Sequence, residues 1–83
     1  MVALVTGGTR GIGAAISIGL KEAGFTVAAN YASDAETAEK FKEETGIPVY
    51  QWLIESPEQC LGGVNRIEKD LGPISVLINN AGV

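Results

Sequence analysis

The chain has 83 residues and a net charge of −4, with 46% apolar and 19% charged residues, which favours one small packed domain over disorder. The acidic balance, without a basic run, argues against nucleic acid or an anionic membrane as partner, and no apolar run approaches the about 20 residues of a membrane helix. One cysteine and no histidine exclude an internal disulfide, Ser-His-Asp hydrolysis and histidine-ligated metal sites, so we expect no metal and a reducing, cytoplasmic compartment.

The first half of the pattern is strand, glycine turn, helix. Residues 1–6 form a continuous apolar run that predicts a strand buried on both faces. A glycine cluster follows, and Ile12, Ile16 and Leu20 then recur at helical spacing until Gly24. This order is typical of the opening unit of a parallel α/β sheet.

A second strand and helix follow directly. Residues 26–31 predict a short apolar strand, and Ser33 with Glu36 predicts a capping box at the start of the next helix. That helix carries Phe41 inward and ends at Gly46. The unit therefore repeats the first one.

The last part predicts one more helix between two strands. Residues 49–54 form the third apolar run, and Ser56, Pro57 and Gln59 supply the N-cap, the first-turn proline and the box partner of the third helix. A fourth strand is expected over residues 74–78. The apolar face of the third helix is predicted to contain Cys60, Leu61, Val64, Ile67 and Leu71.

The complete order, βαβαβαβ with short connections, predicts an α/β fold with a doubly wound parallel sheet. Such a sheet needs helices on both faces, and this chain stops directly after its fourth strand. We therefore expect only the N-terminal portion of a larger sheet.

The glycine turn carries the chemistry. Gly7, Gly11 and Gly13 follow the pattern G-x-x-x-G-x-G between the first strand and the first helix. Small residues there let the backbone approach a pyrophosphate while the helix N-terminus offers N–H groups to the anion. A turn with a purely structural role is the alternative interpretation. The phosphate loop of triphosphate hydrolases is excluded, because Ala14 and Ala15 stand where that motif needs Lys and Ser or Thr.

A second motif, Asn79-Asn80-Ala81-Gly82, ends the fourth strand, and with the glycine turn it resembles the two cofactor motifs of the short-chain dehydrogenase/reductases. The resemblance spans residues 1–83 and implies the N-terminal part of a Rossmann-type NAD(P)-binding domain. The cofactor-binding residues that it implies are Gly7, Gly8, Thr9, Arg10, Gly11, Ile12, Gly13, Asn30, Tyr31, Asn80, Ala81 and Gly82.

Within that family, residues 7–13, 30–31 and 70–78 look most like the acetoacetyl-CoA reductases and the related 3-oxoacyl-carrier-protein reductases. The resemblance implies a cytoplasmic, homotetrameric oxidoreductase that uses NADPH to reduce a 3-oxoacyl thioester, with acetoacetyl-CoA as the expected substrate. A short-chain enzyme acting on another carbonyl or alcohol, and a stand-alone dinucleotide-binding module without catalysis, remain open alternatives.

The choice between NADP and NAD follows from charge. A carboxylate at the end of the second strand would bind the ribose 2′-hydroxyl of NAD and repel the 2′-phosphate of NADP, and this chain has Asn30 there. Arg10 lies in the glycine turn, and a guanidinium pairs well with phosphate. The sequence therefore favours NADPH.

Two departures from the family pattern follow. Leu53 stands where the family usually has Asp or Asn, and leucine cannot make that residue's hydrogen bond to adenine. The family's catalytic Tyr-x-x-x-Lys pair is also missing, because Ala35 follows Tyr31 by four positions and Ile54 follows Tyr50. We therefore expect no catalytic residue in this chain, and read it as the cofactor-binding part of a longer enzyme.

Overall fold

The computed structural model describes residues 1–81 and confirms the alternation of strands and helices. Among these residues, no helix combines the length and apolar character needed to cross a membrane. The elements are β1 (Val2–Thr6), α1 (Gly11–Glu22), β2 (Thr26–Tyr31), α2 (Ala35–Thr45), β3 (Val49–Gln51), α3 (Pro57–Leu71) and β4 (Ile74–Asn79).

The four strands form one parallel sheet in the order β3-β2-β1-β4, so the predicted Rossmann-type fold class is confirmed. β1 lies inside the sheet between β2 and β4, and all five of its residues are buried. An apolar run without alternation is what a strand covered on both faces requires. Its C-terminal end is thereby fixed at the centre of the sheet edge where the glycine turn begins.

Each face of the sheet has its own apolar cluster. On one face Val5, Val27 and Ala29 pack with Phe41 of α2 and with the partly buried Leu20 of α1. The other face is covered by α3, and its cluster contains Val2, Leu4, Ala28, Trp52 and Ile67. Helices on both faces make the sheet doubly wound.

Helix α2 begins one residue later than the sequence predicted. The capping side chain is Asp34, whose carboxylate accepts the N–H of Thr37 at 3.2 Å, so the prediction of a capping box from Ser33 was wrong. Glu36 lies in the first turn of the helix. Aspartate and serine are equally good N-caps. Because α2 begins at Ala35, the residue directly before the helix is Asp34 and not Ser33.

The third strand and third helix also differ from their predicted patterns. β3 ends at Gln51, and Trp52 beyond it turns its side chain into the cluster under α3. On α3, Ile67 is buried as expected, whereas Leu61 was predicted on the apolar face and is 64% exposed. Trp52 fills the space under this part of the helix, and Gly63 faces its indole.

The contact between Gly63 and Trp52 predicts opposite effects for two neighbouring substitutions. In Gly63→Ala the new methyl would lie 2.5 Å from Cδ2 of the buried Trp52, so we expect a loss of about 1–3 kcal/mol of unfolding free energy from overpacking. Gly62→Ala is the matched control: its methyl meets nothing within 4 Å, and we expect a gain of up to about 1 kcal/mol from helix propensity. Chemical denaturation measures both, and equal effects would contradict the packing.

The contact between β3 and the end of α3 predicts a pH effect. The Tyr50 hydroxyl donates to Oδ2 of Asp70 at 2.9 Å, and burial together with this hydrogen bond raises the pKa of Tyr50 to about 12. Folding stability from this group is complete below the ordinary tyrosine value of 10.0 and is lost as the pH rises from there to about 12. Tyrosinate absorbance of the native protein minus that of Tyr50→Phe should titrate near pH 12, and a midpoint near 10 would contradict the contact.

Candidate functional site

The site lies at the C-terminal ends of β1, β2 and β4. From β1 the chain crosses one face of the sheet through α1 to β2, whereas it reaches β4 through α3 on the other face. The strand order therefore reverses between β1 and β4, and open α/β sheets bind ligands in the crevice at such a point. A cavity of about 670 Å³ lies there, which is within the range of small-molecule and cofactor sites.

The glycine turn forms the floor of this cavity. Gly7 and Gly11 have φ of 63° and 59°, a left-handed conformation that residues with a side chain adopt only at a cost. Gly13 faces the turn from the first turn of α1: an added Cβ would lie 2.7 Å from Nδ2 of Asn80 and still closer to the carbonyl oxygen of Gly7. The helix thus begins in direct contact with the turn.

The N-terminus of α1 differs from those of the other two helices. Asp34 caps α2 and Ser56 caps α3, whereas Arg10 at the N-cap of α1 has extended backbone and makes no side-chain cap hydrogen bond. Among the residues that the structure describes, no N-cap side chain bonds the N–H groups of the first helical turn, and the positive end of the helix dipole points at the same place. This arrangement is suited to an anion.

Asn30 holds the turn to the end of the sheet. Its side chain is 1% exposed, Oδ1 accepts the N–H of Gly7 at 3.2 Å, and Nδ2 donates to the carbonyl of Trp52 at 3.2 Å. Its own backbone carbonyl accepts the N–H of Gly8 at 3.0 Å. The amide that stands in place of a carboxylate therefore supports the backbone of the glycine turn, since a carboxylate has no donor for the Trp52 carbonyl.

Thr6 joins the two sequence motifs. Its hydroxyl, in a residue that is 4% exposed, accepts the N–H groups of Asn80 at 3.0 Å and Ala81 at 3.1 Å. The same oxygen lies 3.3 Å from the carbonyl of Ile78 and from Oδ1 of Asn79, to one of which it donates. Asn80 completes the connection, because its Nδ2 donates to the carbonyl of Gly7 at 3.3 Å.

Charged side chains lie at the β2 side of the cavity. Nη1 of Arg10 is 3.5 Å from Oδ2 of Asp34, and both side chains are solvent-accessible. The Thr37 hydroxyl and the Thr37 N–H donate to the Asp34 carboxylate, and with the Arg10 guanidinium they hold the pKa of that carboxyl below its usual value. Glu55 adds a second carboxylate to the lining.

The structure brings most of the predicted site residues together around one cavity. Gly8 and Gly13 lie beneath it as packing positions, Ile12 is 75% exposed outside its lining, and Gly82 lies outside the described residues. The predicted residues that line the cavity are Gly7, Thr9, Arg10, Gly11, Asn30, Tyr31, Asn80 and Ala81.

Several lining residues were missed by the sequence reasoning. Ala32, Ser33 and Asp34 form the turn after β2, and Glu55 lies beyond β3. A signal for them exists, because the segments that follow parallel strands lie along the same edge of the sheet. Leu53 does not line the cavity, while its neighbour Ile54 does.

Comparison with known proteins agrees with this geometry. A family model described as short chain dehydrogenase matches residues 1–83, so the chain belongs to the short-chain dehydrogenase family. The family therefore accounts for the parallel sheet and for the two motifs that meet at its centre.

Three similar proteins illustrate the relationship. The acetoacetyl-CoA reductases of Rhizobium meliloti strain 1021 and Shinella zoogloeoides are 58% and 62% identical over 82 residues. These residues cover 99% of this chain and 34% of each relative, so the chain spans about a third of the length of the curated relatives it matches. A solved structure, the blue fluorescent protein from a metagenomic library in complex with NADPH, superposes with a TM-score of 0.88 at 38% identity, covering 99% of this chain and 36% of that one.

The Thr6 hydroxyl predicts the cost of disconnecting the two motifs. Thr6→Val keeps the β-branched shape and leaves the N–H groups of Asn80 and Ala81 without their acceptor, so we expect a loss of about 1–3 kcal/mol of unfolding free energy. Thr26→Val is the matched control on an exposed residue and should stay within about 0.5 kcal/mol of the parent. Denaturant titration of the two variants measures the difference, and equal stability would contradict the role of the hydroxyl.

Proposed function

We propose that this chain is the cofactor-binding part of an NADPH-dependent reductase that acts on a 3-oxoacyl thioester. The observation that carries the proposal is the N-terminus of α1, which has no side-chain cap and opens on the glycine turn at the point where strand order reverses. Membership of the short-chain dehydrogenase family supports a dinucleotide as the ligand.

The shape and chemistry of the cavity fit a dinucleotide. The first turn of α1 would hold the pyrophosphate, since no N-cap side chain bonds its backbone N–H groups, while the N–H groups of Gly7 and Gly8 are already bonded to Asn30. The cavity continues to Tyr31 and Ser33 after β2 and to Asn80 and Ala81 after β4, so the two nucleosides would lie on opposite sides of β1. In this fold the end of the second strand receives the adenine ribose.

The preference for NADP over NAD rests on two residues. Asn30 places no carboxylate at the end of β2, and its amide is already bonded to Gly7 and Trp52. Arg10 lines the same side of the cavity with a guanidinium that can pair with a 2′-phosphate. The NADPH bound to the similar solved structure supports the same choice.

The proposed substrate comes from the relatives. Two proteins that share about three fifths of their residues with this chain over their matched part are acetoacetyl-CoA reductases. The first turn of α1 and the glycine turn would hold NADPH, which would supply the hydride for the 3-oxo carbon, and an acid would supply the proton that completes the 3-hydroxyacyl product. The role of residues 1–83 in this reaction is to bind and orient the cofactor, and the acid that delivers the proton is expected outside them.

Cofactor preference tests the proposal. In the intact protein we expect tighter binding of NADPH than of NADH, and Arg10→Ala should reduce that ratio by about tenfold, because a hydrogen-bonded charge pair is removed. Arg66→Ala is the matched control: it removes the same charge from α3, where the side chain bonds the Gln51 carbonyl away from this cavity. Fluorescence titration of both nucleotides measures the ratio.

Different outcomes test the NADP preference, the binding site and the substrate separately. Equal affinity for NADPH and NADH in the parent protein would contradict the NADP preference, and absence of binding would contradict the site. A protein that binds NADPH but oxidises none in the presence of acetoacetyl-CoA or 3-oxoacyl-carrier protein would contradict the substrate, leaving a different carbonyl substrate or a non-catalytic binding role.

A further inference from the structure

The carboxylate of Asp34 occupies one side of the Arg10 guanidinium. Oδ2 of Asp34 lies 3.5 Å from Nη1 of Arg10, and both residues line the candidate cofactor cavity. Arg10 is the one Lys or Arg among the lining residues that the structure describes. An anion that binds the guanidinium from within the cavity would therefore lie beside the Asp34 carboxylate.

Asp34 is held in place by its own helix. Thr37 donates its N–H to Oδ1 at 3.2 Å and its hydroxyl to Oδ2 at 2.8 Å, so both carboxylate oxygens are bonded to the first turn of α2. These hydrogen bonds favour the ionised form, and they keep the pKa of Asp34 below its usual value. The residue is thus a fixed negative charge at neutral pH.

The position of this charge bears on one part of the cofactor in particular. Arg10 and Asp34 lie on the β2 side of the cavity, where the adenine ribose is expected. NADP differs from NAD there by a phosphate with up to two negative charges, and like charges at short range repel. A carboxylate at this place opposes the phosphate twice, by direct repulsion and by pairing with the arginine.

We propose that Asp34 is a specificity-determining residue that weakens binding of the 2′-phosphate by competing with it for Arg10. The proposal rests on the proposed function, because it concerns the same cavity and the same cofactor. Asp34 thereby sets the ratio of NADP to NAD affinity below the value that Arg10 alone would give.

Asp34 is also the N-cap of α2, and the test must separate the two roles. Asparagine is an equally good N-cap, since its side-chain oxygen accepts the same N–H, but it carries no charge. Asp34→Asn therefore keeps the Thr37 N–H bonded and removes the negative charge, and with it both the competition for Arg10 and the direct repulsion of the phosphate. Thermal unfolding of the variant checks that α2 is intact.

The experiment uses the intact protein and two small probes that differ only by the 2′-phosphate, adenosine 2′,5′-bisphosphate and adenosine 5′-monophosphate. In Asp34→Asn we expect the bisphosphate to bind about three- to tenfold more tightly at low salt, with the monophosphate changed less than about twofold. The gain should shrink as salt is raised, because these side chains are exposed to solvent. Isothermal titration calorimetry gives both constants.

Glu36→Gln is the matched control. It removes one negative charge from the same first turn of α2, at a residue that does not line the cavity. The gain in affinity for the bisphosphate should be absent in Glu36→Gln. The gain that Asp34→Asn produces should be smaller when Arg10→Ala is also present, because the phosphate and Asp34 then no longer compete for the arginine.

The results that would overturn the proposal are distinct from those that would overturn the function. If the parent binds neither probe, the proposed function itself is contradicted. If it binds both and Asp34→Asn leaves the bisphosphate-to-monophosphate ratio unchanged, lowers it, or matches Glu36→Gln, the function stands and the role of Asp34 is refuted.

Discussion

The close approach of α1 to the end of β1 is the constraint on which the site depends. Gly13 allows it, because any side chain there would collide with the carbonyl of Gly7 and with the amide of Asn80. The helix can therefore begin one short turn after the strand, with its N–H groups directed at the carboxyl edge of the sheet. A longer connection would place the positive end of the helix dipole elsewhere, away from the glycine turn.

The same approach is stabilised by buried or half-buried polar side chains that the chain supplies from three strand ends. Thr6 from β1, Asn30 from β2 and Asn80 after β4 all bond to the backbone of the glycine turn or of the second motif. Buried donors and acceptors are costly unless paired, so each of these side chains fixes the position of the others. The part of the site that these side chains hold, around the glycine turn and the second motif, is consequently preorganised.

The order of elements and the two motifs could be predicted from the sequence because they depend on local patterns, namely apolar runs, helical spacing and glycine punctuation. The rest depends on tertiary contacts. The local sequence does not distinguish Ser33 from Asp34 as the N-cap of α2. It also does not show that Trp52 lies beyond the end of β3 and is buried under α3, while Leu61 is exposed. The network around Asn30 was likewise hidden, since its partner at Trp52 is far away in sequence and adjacent only in the folded sheet.

We propose that the first turn of α1 binds the phosphates of the cofactor, and amide NMR of the intact protein titrated with NADPH is the sharpest test of this role. We expect the largest shifts at the N–H groups of Gly11, Ile12 and Gly13, while the capped first turns of α2 and α3 change less. Saturable binding of NADPH without shifts at these three residues would contradict it.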